Sequence, residues 1–230
     1  MSGIAVVFGC YRLPEERLQA HLEWNASFYS GSGARLFVVT DREYPLPPFA
    51  ECVVFPEENL PLVGGVRRFA TTRCRNAGIR AAIAAGCGLI TCTDVDISFE
   101  PEAWEAALAV GPCGVPTAAV PYCRMSESSE WARRERSWID AEFATGTVTM
   151  TADQWRVIQY DESQHGYGYD DSRMLHRIAA QGVSVLRTGY VYHVAHVDGA
   201  NQKEHHGRND HWNRANGFNP QNFRHNRRRR

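Results

Sequence analysis

Leu89-Ile90-Thr91-Cys92-Thr93-Asp94-Val95-Asp96-Ile97-Ser98-Phe99 is the stretch from which the fold is read. It opens as a buried strand does, on apolar and β-branched residues. Two carboxylates follow at i and i+2, with only Val95 between them. In extended backbone such positions share one side. Two carboxylates aimed at one point repel unless a cation lies between them. The apolar lead-in puts the pair at the carboxyl end of a strand, where open α/β sheets bind ligands. The competing reading is a strand ending in a solvated acidic turn, since short motifs match often by chance.

Upstream, Ile4-Ala5-Val6-Val7-Phe8 reads as a buried strand ending at Gly9. Pro14-Glu15-Glu16 opens a helix to about Tyr29, with proline and acids where a helix start favours them. Arg35–Thr40 is a second strand with Asp41 at its end, so the chain starts strand, helix, strand and implies a parallel pair. Cys52–Phe55 reads as a third strand after a proline loop. Val66–Ala85, rich in Ala and Arg and closed by Gly86, predicts a helix that leads into the central strand.

Downstream, the pattern predicts a helix over Pro101–Val110 and a strand over Val115–Tyr122. Met125–Arg136 reads as a loop or exposed helix over the site. Gly146–Met150 is a strand and Ala152–Ile158 a short helix. The segment Gly166-Tyr167-Gly168-Tyr169-Asp170-Asp171 supplies a tight loop and an acidic start to a helix that ends near Gln181-Gly182. Val183–Leu186 is a strand, and His193 and His196 follow it.

Composition narrows the class. Hydrophobic content of 43% and charged content of 22% are those of a globular chain. No apolar run approaches the roughly 18–20 residues of a membrane span. The N-terminus lacks a basic stretch followed by an apolar one. The expectation is a soluble, cytoplasmic protein with no membrane partner. The seven cysteines never form Cys-x-x-Cys, which argues against a zinc ribbon and fits buried thiols in a reducing compartment. Residues 201–230 hold eight of the 25 Lys and Arg but two of the 26 Asp and Glu. This basic arm, ending in four arginines, follows an acidic body, so the division expected is a domain at 1–200 and an arm at 201–230. Such arms contact polyanions such as nucleic acid, or serve only solubility.

Other chemistries are poorly served. There is no Gly-x-Gly-x-x-Gly after the first strand, no P-loop, no Gly-x-Ser-x-Gly and no His-Glu-x-x-His. What remains is an α/β sheet with an Asp-x-Asp at a strand end, an acidic pair opening a later helix, and a histidine pair beyond it.

That order resembles the GT-A-fold glycosyltransferases, family-two-like and similar to the carboxyl-terminal part of β-1,4-galactosyltransferases, polypeptide N-acetylgalactosaminyltransferases and chondroitin polymerases. Four segments carry the likeness, which covers most of residues 4–200. Arg73-Cys74-Arg75-Asn76-Ala77-Gly78 looks like the Arg-Asn-x-Gly helix ahead of the metal motif, and Asp94-Val95-Asp96 like the DXD itself. Tyr167-Gly168-Tyr169-Asp170-Asp171 looks like Trp-Gly-Gly-Glu-Asp, with Arg177 downstream. His196-Val197-Asp198-Gly199 looks like the histidine segment after the last core strand. Tyr169 for Gly, Asp170 for Glu and Arg173 for an acid are departures.

The resemblance implies a mixed, mainly parallel Rossmann-like sheet flanked by helices. It implies a metal-dependent, inverting glycosyltransferase using Mn2+ (or Mg2+) and a nucleotide sugar, with UDP the expected nucleotide. Asp94 would serve the ribose or the metal edge, Asp96 the metal directly, and His196 would be a third ligand, with His193 in reserve. Phe8, Gly9, Tyr11 and Arg12 would frame the base, Asp41 would meet it, and Arg73 and Asn76 would lie near the ribose or sugar. Asp171 would be the general base and Asp170 would bind donor or acceptor sugar. The acceptor is left open among a glycan, a protein and, through the arm, hydroxylated bases of DNA as in phage-type enzymes. A non-catalytic sugar- or nucleic-acid-binding module on the same sheet is the rival reading, and a metal-dependent nucleotidyltransferase a third.

Overall fold

The structure, a computed structural model, describes residues 3–9, 15–63, 65–67, 70–110, 115–126, 138–141, 146–164 and 170–193. Tyr11, Arg12, the loop at 166–169, His196 and the arm at 201–230 lie outside the described residues, as does most of the segment at 125–136.

The first half follows its sequence pattern closely. Strand β1 (Gly3–Gly9), helix α1 (Glu15–Ser32) and strand β2 (Arg35–Thr40) form a parallel strand-helix-strand unit. Strand β3 (Ala50–Val54) extends it in parallel. The expected helix at 66–85 begins later. A two-stranded hairpin, β4 (Leu62–Val63) and β5 (Val66–Arg67), takes its first residues, with Gly65 in the turn at φ +78°. Helix α2 then runs over Thr71–Ala84 from an extended N-cap at Ala70. It delivers the chain to β6 (Cys87–Thr93), which lies parallel to β1.

Beyond β6 come β7 (Ile97–Phe99), α3 (Pro101–Leu108), β8 (Thr117–Ala119), β9 (Tyr122–Ser126), β10 (Trp138–Ala141), β11 (Val148–Thr151), α4 (Ala152–Val157), α5 (Asp170–Ala180), β12 (Ser184–Leu186) and β13 (Tyr190–His193). The single strand expected at 115–122 is two strands. Pro121, which has no N–H to give a ladder, separates β8 from β9, and the two enter different sheets.

The large sheet has seven strands in the order β12-β8-β11-β6-β1-β2-β3. Its ladders are parallel except those of β11, which runs antiparallel to both neighbours. The small sheet has the order β10-β9-β13-β7. Alternation along the central strands feeds two cores. Ala5, Val7, Phe37 and Val39 join Cys74, Ile79, Trp155, Met174 and Ile178 beneath α2, α4 and α5. Val6, Phe8, Leu36 and Val38 join Leu18, Tyr29, Trp104, Phe99 and Val191 beneath α1, α3 and the small sheet. Helix α2 reaches β1 and β2 closely because Gly78 has no side chain. A Cβ there would stand 2.5 Å from Val7 and 2.6 Å from Val39. Between β6 and β11 the hydroxyls of Thr91 and Thr149 meet at 2.8 Å and those of Thr93 and Thr147 at 2.7 Å, pairs that lock register inside a buried sheet. Cys74, Cys87, Cys92 and Cys123 are buried free thiols. No helix among the described residues is long and apolar enough to cross a membrane.

Candidate active site

Strand β6 ends at Thr93, and the chain turns through Asp94-Val95-Asp96 before entering β7. The Ile97 N–H closes that turn on the Asp94 carbonyl at 3.3 Å. The acidic pair is therefore not in extended backbone with both side chains on one side, as the spacing suggested. The strand stops because here the chain passes from the large sheet to the small one. The two carboxylates go different ways. Asp94 accepts a hydrogen bond from Arg75 Nη2 at 2.5 Å. Asp96, 5% exposed, has its Oδ1 3.5 Å from His193 Nε2 on β13. Val95 anchors the turn by burying its side chain.

The centre of the site is Arg75, on α2. Its guanidinium is buried, and one nitrogen, Nη1, donates to Asp170 Oδ2 at 2.6 Å and to Asp171 Oδ1 at 2.8 Å, while Nη2 holds Asp94. The Tyr160 ring lies beneath it, 5.1 Å away. One cation thus joins the turn after β6 to the first residues of α5. Two glycines make room for this bridge. A Cβ at Gly9 would meet Arg75 Cγ at 2.5 Å, and one at Gly146, where φ is +63°, would clash with Asp94 Oδ2.

The charges do not balance. Burial raises the pKa of Asp94, and the charges of Asp171, Asp96 and Asp170 raise it further, against the pull of Arg75. Burial also raises Asp170, again against Arg75 and with Asp171 adding to the rise. The arginine itself stays charged, because its carboxylates outweigh the burial that would lower its pKa. Three aspartates on a single guanidinium, with Asp96 close to Asp94, leave a deficit of positive charge. Exposure separates their roles: Asp94 and Asp171 keep 30% and 24% of their side chains open, Asp170 only 11%.

The donor types here are ones that a divalent cation takes. Carboxylate oxygens with one imidazole suit Mn2+ or Mg2+. No group of three or more His, Cys, Asp and Glu is arranged to hold a metal among the described residues. Asp96 and His193 bring together one carboxylate and one imidazole.

No family model and no curated protein sequence matches the chain. Solved structures do. The catalytic domain of Drosophila beta-1,4-galactosyltransferase 7, in complex with xylobiose, superposes with a TM-score of 0.53 at 14% identity, over 81% of this chain and 65% of that one. A mutant of the same Drosophila enzyme, with manganese, UDP-Gal and xylobiose, gives 0.55 at 15% identity, over 89% and 79%. GalNAc-T7 with UDP, GalNAc and Mn2+ gives 0.61 at 10% identity, over 86% of this chain and 45% of that one. The protein has the GT-A fold.

Within this GT-A sheet the acids expected from the sequence come together: Asp94, Asp170 and Asp171 meet at Arg75, and Asp96 meets His193. Asp41 lies at the end of β2, two strands from β6. Other expectations give way. Phe8 does not frame a base; its ring is fully buried, edge-on to His21 at 4.5 Å. Gly9 is pressed against the α2 backbone. Asn76 does not face a sugar, because both ends of its amide are taken: it accepts from Tyr160 N–H at 3.0 Å and donates to Tyr160 O and Glu162. Arg73 donates to the carbonyls of Glu162 and Asn59. These two residues latch the 160–162 segment to α2. The residue missed was Arg75. Its signal is helix phase: among the buried residues of α2, Thr71, Cys74, Arg75, Gly78, Ile79 and Ala82 follow the three-and-four spacing of one helix face. An arginine on that stripe needs buried acids to meet it.

Proposed function

We propose that this protein transfers a sugar from a nucleotide-sugar donor, a UDP-sugar, to a hydroxyl of an acceptor saccharide, with inversion at the anomeric carbon. The observation that carries the reading is the Arg75 bridge, which sets the acid of the turn after β6 beside the acids that open α5. The donor class is supported by the fold neighbours, whose structures hold UDP-Gal with manganese and UDP with Mn2+. The saccharide acceptor is supported by the xylobiose in the beta-1,4-galactosyltransferase 7 structures. A nucleic-acid acceptor rested on the arm at 201–230, outside the described residues, and nothing in the site speaks for it.

Asp171 is the base. Its carboxylate is the more open of the α5 pair, and Arg75 fixes one oxygen. The other is left to take the proton of the acceptor hydroxyl as that oxygen attacks the anomeric carbon. The new C–O bond forms on the face opposite the departing diphosphate, which leaves with the electrons of the glycosyl–phosphate bond. One displacement by one base inverts the carbon. Asp170, buried on Arg75, braces the site and is not placed to bind sugar. Asp94 lies at the donor side. Asp96, His193 and, as the sequence suggests, His196 would hold a divalent cation, which would supply positive charge to the diphosphate.

The test is a screen of nucleotide sugars with Mn2+ and small saccharide acceptors, following release of nucleoside diphosphate. Release that is lost with EDTA and in Asp96→Ala supports the reading. Binding of donor with no turnover on any acceptor makes the protein a sugar-binding module. Release of pyrophosphate instead makes it a nucleotidyltransferase.

A further inference from the structure

Behind the Asp94–Ile97 turn, two fully buried polar side chains of α1 reach across to its backbone. His21 Nδ1 lies 3.0 Å from the Val95 carbonyl. Asn25 donates from Nδ2 to the Ile97 carbonyl at 3.0 Å, and its Oδ1 accepts from the Phe99 N–H at 2.9 Å. The spacing of four puts both residues on one face of the helix. That face otherwise lies in an apolar core with Phe8, Leu18, Tyr29 and Trp104. Polar groups are costly there unless every bond is made. An aliphatic pair would fill the space without that cost.

Their bonds determine one another. A carbonyl only accepts, so Nδ1 of His21 carries the hydrogen and Nε2 is the acceptor. Nε2 faces the Tyr29 hydroxyl at 2.5 Å, which donates to it. Asn25 Nδ2 also bonds the His21 carbonyl at 3.0 Å. The network therefore runs from Tyr29 through His21 to Val95, and from the α1 backbone through Asn25 to Ile97 and Phe99. It ends on the backbone of a segment whose side chains, Asp94 and Asp96, face the site.

We propose that His21 and Asn25 are positioning residues for the cation- and diphosphate-binding turn. They hold the backbone of residues 95–99 from the core side, so that the two carboxylates are presented in fixed directions. The proposal rests on the donor-binding reading given above. It assigns α1 a part in ligand affinity although neither residue touches the ligand, as partners one shell out from metal ligands often do.

The experiment compares the wild-type chain with His21→Leu, His21→Asn and Tyr29→Phe. Three quantities are read: affinity for UDP in the presence of Mn2+ by calorimetry, amide exchange of the 94–99 segment by mass spectrometry, and the thermal midpoint. His21→Leu fills the cavity but cannot bond Val95; it should weaken Mn2+-dependent UDP binding at least about tenfold and speed exchange at Ile97 and Phe99. His21→Asn leaves a cavity but places an amide N–H near the position of Nδ1. It should recover most of the affinity despite a lower midpoint than wild type. A space-filling role predicts the reverse order and would overturn the proposal, as would unchanged exchange and affinity in His21→Leu. Should His21→Leu fail to fold, Tyr29→Phe removes a single oxygen, and unchanged exchange and affinity in that variant would overturn the proposal. If the wild type binds no UDP with Mn2+, the donor reading fails, and the exchange data alone decide whether the turn is held from α1.

Discussion

Arg75 decides how the acids of the site behave. It is the positive group that Asp94, Asp170 and Asp171 share, so removing it leaves buried carboxylates unpaired. We expect Arg75→Met to cost about 3–5 kcal/mol, measured by denaturant unfolding. Arg75→Lys should recover little of it, because one ammonium cannot hold three carboxylates in the directions a guanidinium fork does. Asp171→Asn is a different kind of change. It keeps the shape and the bond from Arg75 but takes no proton. Turnover should fall at least about 10²-fold with UDP affinity unchanged; a loss confined to UDP affinity would remove Asp171 from the role of base. The acids were legible in the sequence because each pair of aspartates follows an apolar or glycine-rich lead-in, which places one at a strand end and the other at a helix start. What the residue string did not show was their meeting point. Helix phase, and not residue type, tells the buried Arg75 from the half-buried Arg73 and the exposed Arg80.

At the scale of elements, α1 and α2 carry the tightest constraints. His21 on α1 is held neutral: burial lowers its pKa to about 4 from 6.5, outweighing its backbone bonds and the charge of Asp96. The unfolded chain binds the proton more readily, so this histidine favours folding fully above pH 6.5. That contribution is lost as pH falls from 6.5 towards 4 and totals about 3 kcal/mol. Unfolding free energies at pH 7 and pH 4 should show it, and the fall should be smaller in His21→Asn. On α2, Gly78→Ala forces a methyl into Val7 and Val39 and should cost about 1–3 kcal/mol, read as a lower thermal midpoint with UDP affinity retained at low temperature. Elements with long apolar runs, β1, β2 and β6, were legible because both faces of a parallel sheet are buried. The small sheet was not. Its strands have three to five residues, too few for alternation to declare itself, and they pair across the chain in an order that local pattern does not encode.

At the scale of the molecule, the order of elements was readable because a strand-helix-strand start commits the chain to a parallel sheet with helices on both faces. The site was readable only in part, because it is made where distant segments meet. Arg75 finds Asp170 and Asp171 across 95 and 96 residues, and His21 finds Val95 across 74. That separation has a kinetic consequence. Closing such long loops is entropically costly, so these contacts should be absent from the folding transition state, while the β1-α1-β2 unit is already formed. A conservative change in that unit, such as Val38→Ala, should slow refolding. Arg75→Met should leave the refolding rate nearly as it was and instead speed unfolding. In stopped-flow measurements the arginine would then act as the bolt that is thrown last: with little influence on how fast the chain folds, and a large one on how long it stays folded.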